Sequence, residues 1–226
     1  MTVAVVMAAG LGARLRPLTE RWPKPILPVD GRPVIVTLLH ELAEGRFDSF
    51  VVVVGHLAEQ VEELLAPLPY EIRIVVQPEA VGSADAVRRA EAEPAFLVTA
   101  ADTVYGRGDP ERFWQRFEES GAAGAISMRR QPGRPVGTRI RAEDGRVVRV
   151  VDPTDESGLT AAPLMAVGPA VATRIAGDLP GPPFELAHAF QETIDAGERV
   201  EAIEIGKTRD LTDPLDLVEE NFSYLR

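Results

Sequence analysis

The chain has 226 residues, 45% of them hydrophobic and 26% charged, the balance of an ordinary globular protein long enough to close a core without staples. It has no cysteine, which excludes disulfides and thiolate metal sites and suits a reducing, cytoplasmic setting. A net charge of −11 argues against nonspecific nucleic-acid binding. The N-terminus lacks the basic and apolar regions of a signal peptide, and no apolar run approaches the ~18 residues of a membrane helix.

Short apolar runs alternate with amphipathic segments along the first half. Val3 to Met7 reads as a buried strand, and Val34 to Glu44 as a helix set between Pro33 and Gly45. Phe50 to Val54 is a strand, Leu57 to Leu65 a helix, Glu71 to Val76 a strand and Ser83 to Glu93 a helix stopped by Pro94. Ala95 to Thr99 is a strand, and Pro110 to Ser120 a helix with Phe113, Trp114 and Phe117 on one side. Strands alternating with helices predict an α/β fold, a mainly parallel sheet covered on both faces. In the second half, Ala123 to Met128 reads as a strand and Arg129 to Pro135 as a surface loop. Thr138 to Arg141 and Arg146 to Val151 flank a hairpin signal, "EDG". Leu164 to Val167 and Val200 to Ile205 read as strands, and Ala170 to Ala176, Glu185 to Ala196 and Pro214 to Leu225 as helices. No repeat or long linker divides the chain, so one domain is expected over 1–226. His40, His56 and His188 are lone and widely spaced and read as structural.

The stretch "MAAGLGARLRPLTERWPKPILPVDGRP" (7–33) leaves the first strand at its carboxyl end, where parallel sheets bind ligands. Gly10 and Gly12 allow a turn in which backbone N–H groups converge on an anion. Arg14 and Lys24 add charge, and five prolines stiffen the loop. That combination is suited to a polyphosphate. "GLGARL" falls short of a dinucleotide fingerprint, because Leu15 stands at the third glycine, and Asp30, the candidate ribose acid, lies before the second strand. The Walker pattern is absent.

The stretch from Ala8 to Thr19, with Pro23-Lys24-Pro25 and Pro28-Val29 behind it, resembles the opening of sugar-1-phosphate nucleotidyltransferases, also called nucleotide-sugar pyrophosphorylases. "QPEAVGSADAVRRA" (77–90) resembles that family's base-reading segment, "FLVTAADTVY" (96–105) the strand that ends in its first metal aspartate, and "TRDLTDPLDLVEEN" (208–221) the segment of its second. The resemblance implies a Rossmann-like three-layer αβα sandwich with a small β-hairpin acceptor subregion. The NTP half would span 1–120, and the acceptor half, with the second metal aspartate, 121–226. It implies NTP contacts at Ala8, Ala9, Gly10, Gly12, Arg14, Gln77 and Gly82, catalytic charge from Arg14 and Lys24, and one or two Mg²⁺ ions on Asp102 and Asp210. It also implies transfer of a nucleoside monophosphate from an NTP to a phosphorylated small molecule, with pyrophosphate leaving.

The acceptor half departs from the family. Asp152 and Pro153 stand where glutamate and lysine are expected, the asparagine and tyrosine of the strand near Thr160 to Pro169 are missing, and Thr208 replaces a tryptophan. An acceptor anion still needs a cation, and Lys207 and Arg209, flanking Thr208, are the candidates; Arg149 is set aside because alternation places it on the face of Val147 and Val151. Three classes follow: transfer to a sugar phosphate or to a polyol or amino-alcohol phosphate, as by a cytidylyltransferase; a catalytically weak nucleotide-binding protein; and, disfavoured by Leu15, a dinucleotide-dependent oxidoreductase. Neither nucleic acid nor membrane is expected as a partner, and a homo-oligomer stays open. The chain stops soon after Asp210, so no separate C-terminal acyltransferase domain is expected.

Overall fold

Apolar runs too short for buried helices become the strands of the structure, a computed structural model that describes residues 2–130, 139–150 and 159–222. Nine of them form one sheet: β1 (Val3–Ala8), β2 (Ser49–Val54), β3 (Glu71–Val76), β4 (Phe96–Ala100), β5 (Gly124–Arg130), β6 (Ile140–Glu143), β7 (Arg146–Val150), β8 (Leu159–Val167) and β9 (Val200–Glu204). The order across the sheet is β3-β2-β1-β4-β8-β5-β9-β7-β6. Only β8 and β7 run against the rest. The helices are α1 (Val34–Glu44), α2 (Ala58–Leu65), α3 (Ser83–Arg89), α4 (Asp109–Ser120), α5 (Pro169–Ala176), α6 (Leu186–Asp195) and α7 (Pro214–Asn221).

Strand alternation builds two cores. Ala4, Val6 and Ala8 of β1, with Phe50, Val52 and Val54 of β2, pack under α1, α2 and α4 through Leu38, Val61 and Phe113. Val5, Val51, Val53 and Val98 point the other way, onto α3, α5 and α6 through Val87, Val171 and Phe190. The result is a three-layer αβα sandwich, with hairpin β6–β7 at one edge. A third, smaller cluster of Leu15, Leu27, Val29, Val34, Val104 and Leu211 lies under the opening loop. It ties residues 15–34 to the chain around Val104 and Leu211, and so fixes that loop relative to the sheet.

Three predicted boundaries move. Helix α3 ends at Arg89, not Glu93, because Glu91 adopts a left-handed conformation (φ 44°) that turns the chain. Strand β8 begins at Leu159 and runs through Pro163, which sits where its pairing with β5 shifts register; proline is tolerated at such a break. Strand β5 runs on through Arg129 and Arg130, which were expected in a loop; residues 131–135 of that expected loop lie outside the described residues. A bulge between Val147 and Arg149 turns Arg149 to solvent, correcting its expected buried direction.

Candidate active site

Ligands of open α/β sheets bind where the strand order switches. Here that point lies between β1 and β4, since β1 leads outward to β2 and β3 while β4 opens the other half. The carboxyl ends of β1, β3 and β4 deliver Ala8-Ala9-Gly10, Gln77 and Asp102 to one cleft of about 400 Å³. Gly12, Arg14, Lys24, Gly82, Ser83, Glu185 and Thr212 complete its lining. Every residue expected at the nucleotide therefore lies around a single cleft.

The opening loop is a chain of three single-turn 3₁₀ helices, Ala13–Leu15, Leu18–Glu20 and Lys24–Ile26. Pro17 and Pro23 stand at the starts of the second and third, where a fixed φ costs nothing. Gly12 is left-handed (φ 60°), and a Cβ there would strike the Thr19 side chain. The Thr19 hydroxyl donates to the Gly12 carbonyl at 2.9 Å, and His56 Nε2 meets the Thr19 carbonyl at 2.6 Å. The loop is thus held from below, while Arg14 is exposed above it. A Cβ on Gly10 would meet no protein atom within 4 Å, so packing within the protein does not demand that glycine.

Asp102 and Asp210, 108 residues apart, are joined by a short antiparallel ladder in which Asp210 faces Thr103 and Arg209 faces Val104. The Thr103 hydroxyl donates to Asp210 Oδ1 at 2.9 Å and lies 3.4 Å from Asp102 Oδ1. The Lys24 ammonium is paired with Asp102, and the buried Arg129 guanidinium with Asp210. Thr208, at the position of the missing tryptophan, donates to Asp210 Oδ2 at 3.0 Å. Among the described residues no three acidic or imidazole groups gather into a cage. Two carboxylates on one hydroxyl still fit Mg²⁺, a hard ion that completes its shell with water and phosphate oxygens.

Beneath this pair, the Tyr105 hydroxyl bonds Thr99 Oγ1 at 2.8 Å and donates to the Pro163 carbonyl at 3.0 Å, joining β4 to β8. Burial pushes its phenol well above the ordinary value, so it stays protonated.

At the other end of the cleft, Gln77 is 4% exposed. Its Nε2 donates to the Gly82 carbonyl (3.1 Å) and to Asp85 Oδ2 (2.9 Å). Gly82 has φ 126°, and a Cβ there would run into the Phe184 backbone, so the close approach needs glycine. The Ser83 hydroxyl bonds Glu185, which ties the start of α3 to the chain ahead of α6.

The acceptor-side candidates are placed differently. Lys207 is exposed on the loop leading into Asp210 and is not part of the cleft lining. Arg209 is turned away from the cleft: its guanidinium donates to both carboxylate oxygens of Asp30 and to the side chain and carbonyl of Glu220. Those hydrogen bonds, Asp30 first, raise its pKa further above the usual arginine value. Asp152 and Pro153 lie outside the described residues. Arg129, Thr103 and Asp85 went unnoticed in the sequence; alternation from Ala125 through Ser127 is the signal that aims Arg129 inward.

The comparisons with known proteins agree with this fold. The family model described as "Nucleotidyl transferase" matches residues 3–150. The chain is 37% identical over 164 residues to CMP-5'-(3-aminopropyl)phosphonate synthase of Streptomyces rubellomurinus, covering 69% of this chain and 25% of that protein. It is 48% identical over 59 residues to 2-aminoethylphosphonate cytidylyltransferase of Lancefieldella rimae, 26% of this chain and 24% of that one. It thus spans about a quarter of the length of these curated relatives. Among solved structures, a putative glucose-1-phosphate thymidylyltransferase from Bacillus anthracis shares the fold with a TM-score of 0.87 at 17% identity, over 98% of this chain and 94% of that one. With its opening loop, switch-point cleft and matched segment in agreement, the chain belongs to the nucleotidyl transferase family.

Proposed function

We propose that the protein transfers a cytidylyl group from CTP to an anionic oxygen of a small phosphonate or phosphate acceptor, with 2-aminoethylphosphonate and its three-carbon homologue as the leading acceptors. The observation that carries the nucleotide half is the convergence of the opening loop, Gln77 and Asp102 on one cleft from three strand ends. The acceptor class rests on the two phosphonate-named relatives and on a sequence that departs from sugar-phosphate enzymes in its second half.

The acceptor oxygen attacks the α-phosphorus, the bond from that phosphorus to the bridging oxygen breaks, and pyrophosphate leaves with the bond's electron pair. The acceptor is already anionic at neutral pH, so no general base is required. The chain's task is to bring two anions together and to stabilise charge. Loop amides at Gly10 and Gly12 and the Arg14 guanidinium hold the terminal phosphates. Lys24, its backbone set between two prolines, places its ammonium beside Asp102 and next to the α-phosphate. Lys207 is the cation assigned to the acceptor anion. Asp102 and Asp210 would hold Mg²⁺, which supplies further neutralisation of the phosphates. Thr103, Thr208 and Arg129 keep Asp210 oriented.

A pyrophosphate-release assay across CTP, UTP, ATP, GTP and dTTP, each with 2-aminoethylphosphonate, glucose 1-phosphate and a polyol phosphate, tests this directly. Release with CTP and the aminophosphonate, lost on chelating Mg²⁺, is expected. Release with glucose 1-phosphate alone replaces the acceptor assignment. Nucleotide binding without release from any pair moves the protein to the catalytically weak class.

A further inference from the structure

Gln77 lines the cleft and lies in the segment that resembles the family's base-reading stretch. A glutamine is ambiguous by itself, because one end of its amide donates and the other accepts. Here the ambiguity is removed by its surroundings. Both N–H bonds of Nε2 are engaged, one by the Gly82 carbonyl and one by Asp85 Oδ2. Both partners are pure acceptors. Turning the amide over would set its oxygen against two other oxygens in a site where Gln77 is 4% and Asp85 3% exposed. Unpaired polar groups at that depth are costly. Gln77 Oε1 meets no protein donor among the described residues and is not sealed from solvent, so what Gln77 offers the cleft it lines is an acceptor.

We propose that Asp85 is a positioning residue for base selection: it locks Gln77 with its amide oxygen toward the cleft, where that oxygen suits the 4-amino group of cytosine and opposes the 4-carbonyl of uracil. The proposal rests on the reading of this cleft as the NTP site. Cytosine's exocyclic amine donates to such an oxygen, while uracil sets a carbonyl at that position and has only its ring N3–H, one atom along the edge, to donate. Asp85 is itself held in place. Arg88 donates to Oδ1 at 2.9 Å and Arg89 to Oδ2 at 2.7 Å. Burial alone would raise its carboxyl; the hydrogen bonds from Arg89, Gln77 and Arg88 outweigh burial and hold it below the ordinary value, so it remains an ionised acceptor. One turn of helix α3 thus carries the arginines that hold the aspartate that sets the glutamine.

The test is the ratio of UTP to CTP dissociation constants, measured by calorimetry with Mg²⁺ on the whole chain and on two variants. The wild type is expected to favour CTP by about tenfold or more, the scale of a buried mismatched hydrogen bond. In Asp85→Ala the amide is free to turn, and the ratio is expected to fall to within about threefold of one. Asp85→Asn is expected to keep the preference. Its carbonyl can hold the Oδ2 position that serves Gln77 and Arg89, while its nitrogen faces only Arg88, whose side chain is 48% exposed and can move aside. The ratio is internal to each sample, so a partly unfolded fraction cancels. If the alanine variant does not fold, Asp85→Ser is read the same way, because a hydroxyl serves either end of an amide. A wild type that does not favour CTP overturns the proposal, as does an Asp85→Ala variant that keeps the wild-type ratio while both affinities fall equally, which is what a merely structural aspartate does. Selective CTP binding without turnover on any acceptor leaves Asp85 its role and removes the transfer reaction instead.

Discussion

In the proposed reaction two residues divide the work of charge, Lys24 in the cleft wall and Asp210 beside Asp102, and they should fail differently. Lys24 is 17% exposed by side chain and lines the cleft; in the proposed reaction it acts on the charge that grows on the α-phosphate. A group that acts mainly in the transition state shows in kcat rather than KM. Lys24→Ala is therefore expected to lower kcat by ~10²-fold or more, with the KM for nucleotide little changed; steady-state kinetics decides, and normal kcat with a raised KM removes this role. Asp210 is also a structural partner. Removing its carboxylate leaves the Arg129 guanidinium, 7% exposed, without its counter-ion. Breaking a buried pair in this way typically costs about 3–5 kcal/mol. Asp210→Ala should lose turnover and much of its stability; Asp210→Asn should also lose turnover and some stability, since the counter-charge is gone, but less than alanine, because its amide oxygen still accepts a hydrogen bond at that position. Equal melting temperatures for Asp210→Ala and wild type would contradict the pairing. Asp102→Asn should lose turnover with the fold intact.

At the scale of elements, Arg209 is a clamp. It links Asp30, in the turn that closes the opening loop, to Glu220 on α7, and the Asn221 side chain adds bonds to the Gly31 amide and the Pro28 carbonyl. Arg209→Ala is expected to speed proteolysis within α7 and lower the melting temperature, while the acceptor KM moves less than about threefold; Lys207→Ala should do the reverse, raising acceptor KM about tenfold. The opposite pattern restores Arg209 to the acceptor. Helix α1 carries a second element-scale device. Burial, chiefly, with Asp109 and Glu44 adding to it, pushes the Glu41 carboxyl from 4.5 to about 7, against a hydrogen bond from the Tyr105 backbone. The folded state binds that proton more tightly than the unfolded chain. Its contribution is full below about pH 4.5 and is lost as pH rises through about 7. Glu41→Gln should therefore gain stability relative to wild type between pH 5.5 and 8, on the order of 1–2 kcal/mol once partial exposure is allowed for. A difference in melting temperature that stays flat with pH contradicts the shift.

For the whole molecule, what could be read in advance was what depends on local pattern. Apolar runs such as Phe50–Val54 and the alternation around them place the strands, and the glycines, prolines and cations of 7–33 mark the loop that lines the cleft. What could not be read depends on pairs that only the fold brings together. Arg129 looked like a loop charge because Pro132 and Gly133 follow it; its pairing with Asp210 arises across 81 residues. Arg209 looked like an acceptor cation because it adjoins Asp210. Yet neighbours along an extended backbone point to opposite faces, and this one turns to Asp30, 179 residues away. Asp85 passed as a polar helix residue because its value lies in what it does to Gln77. The acceptor half was the least legible, since a site defined by departures from a pattern names no replacement.

The proposed reaction is attack at the α-phosphorus of CTP by an acceptor oxygen. Incubation with 2-aminoethylphosphonate, Mg²⁺ and CTP labelled in turn at the α- and γ-phosphates tests it most directly. The α-label is expected to move into a new CMP-containing product carrying the acceptor, the γ-label to appear only in pyrophosphate, and Lys24→Ala to slow both together. Release of γ-label as free phosphate, or α-label recovered as CMP with no acceptor attached, would show hydrolysis in place of transfer and contradict it.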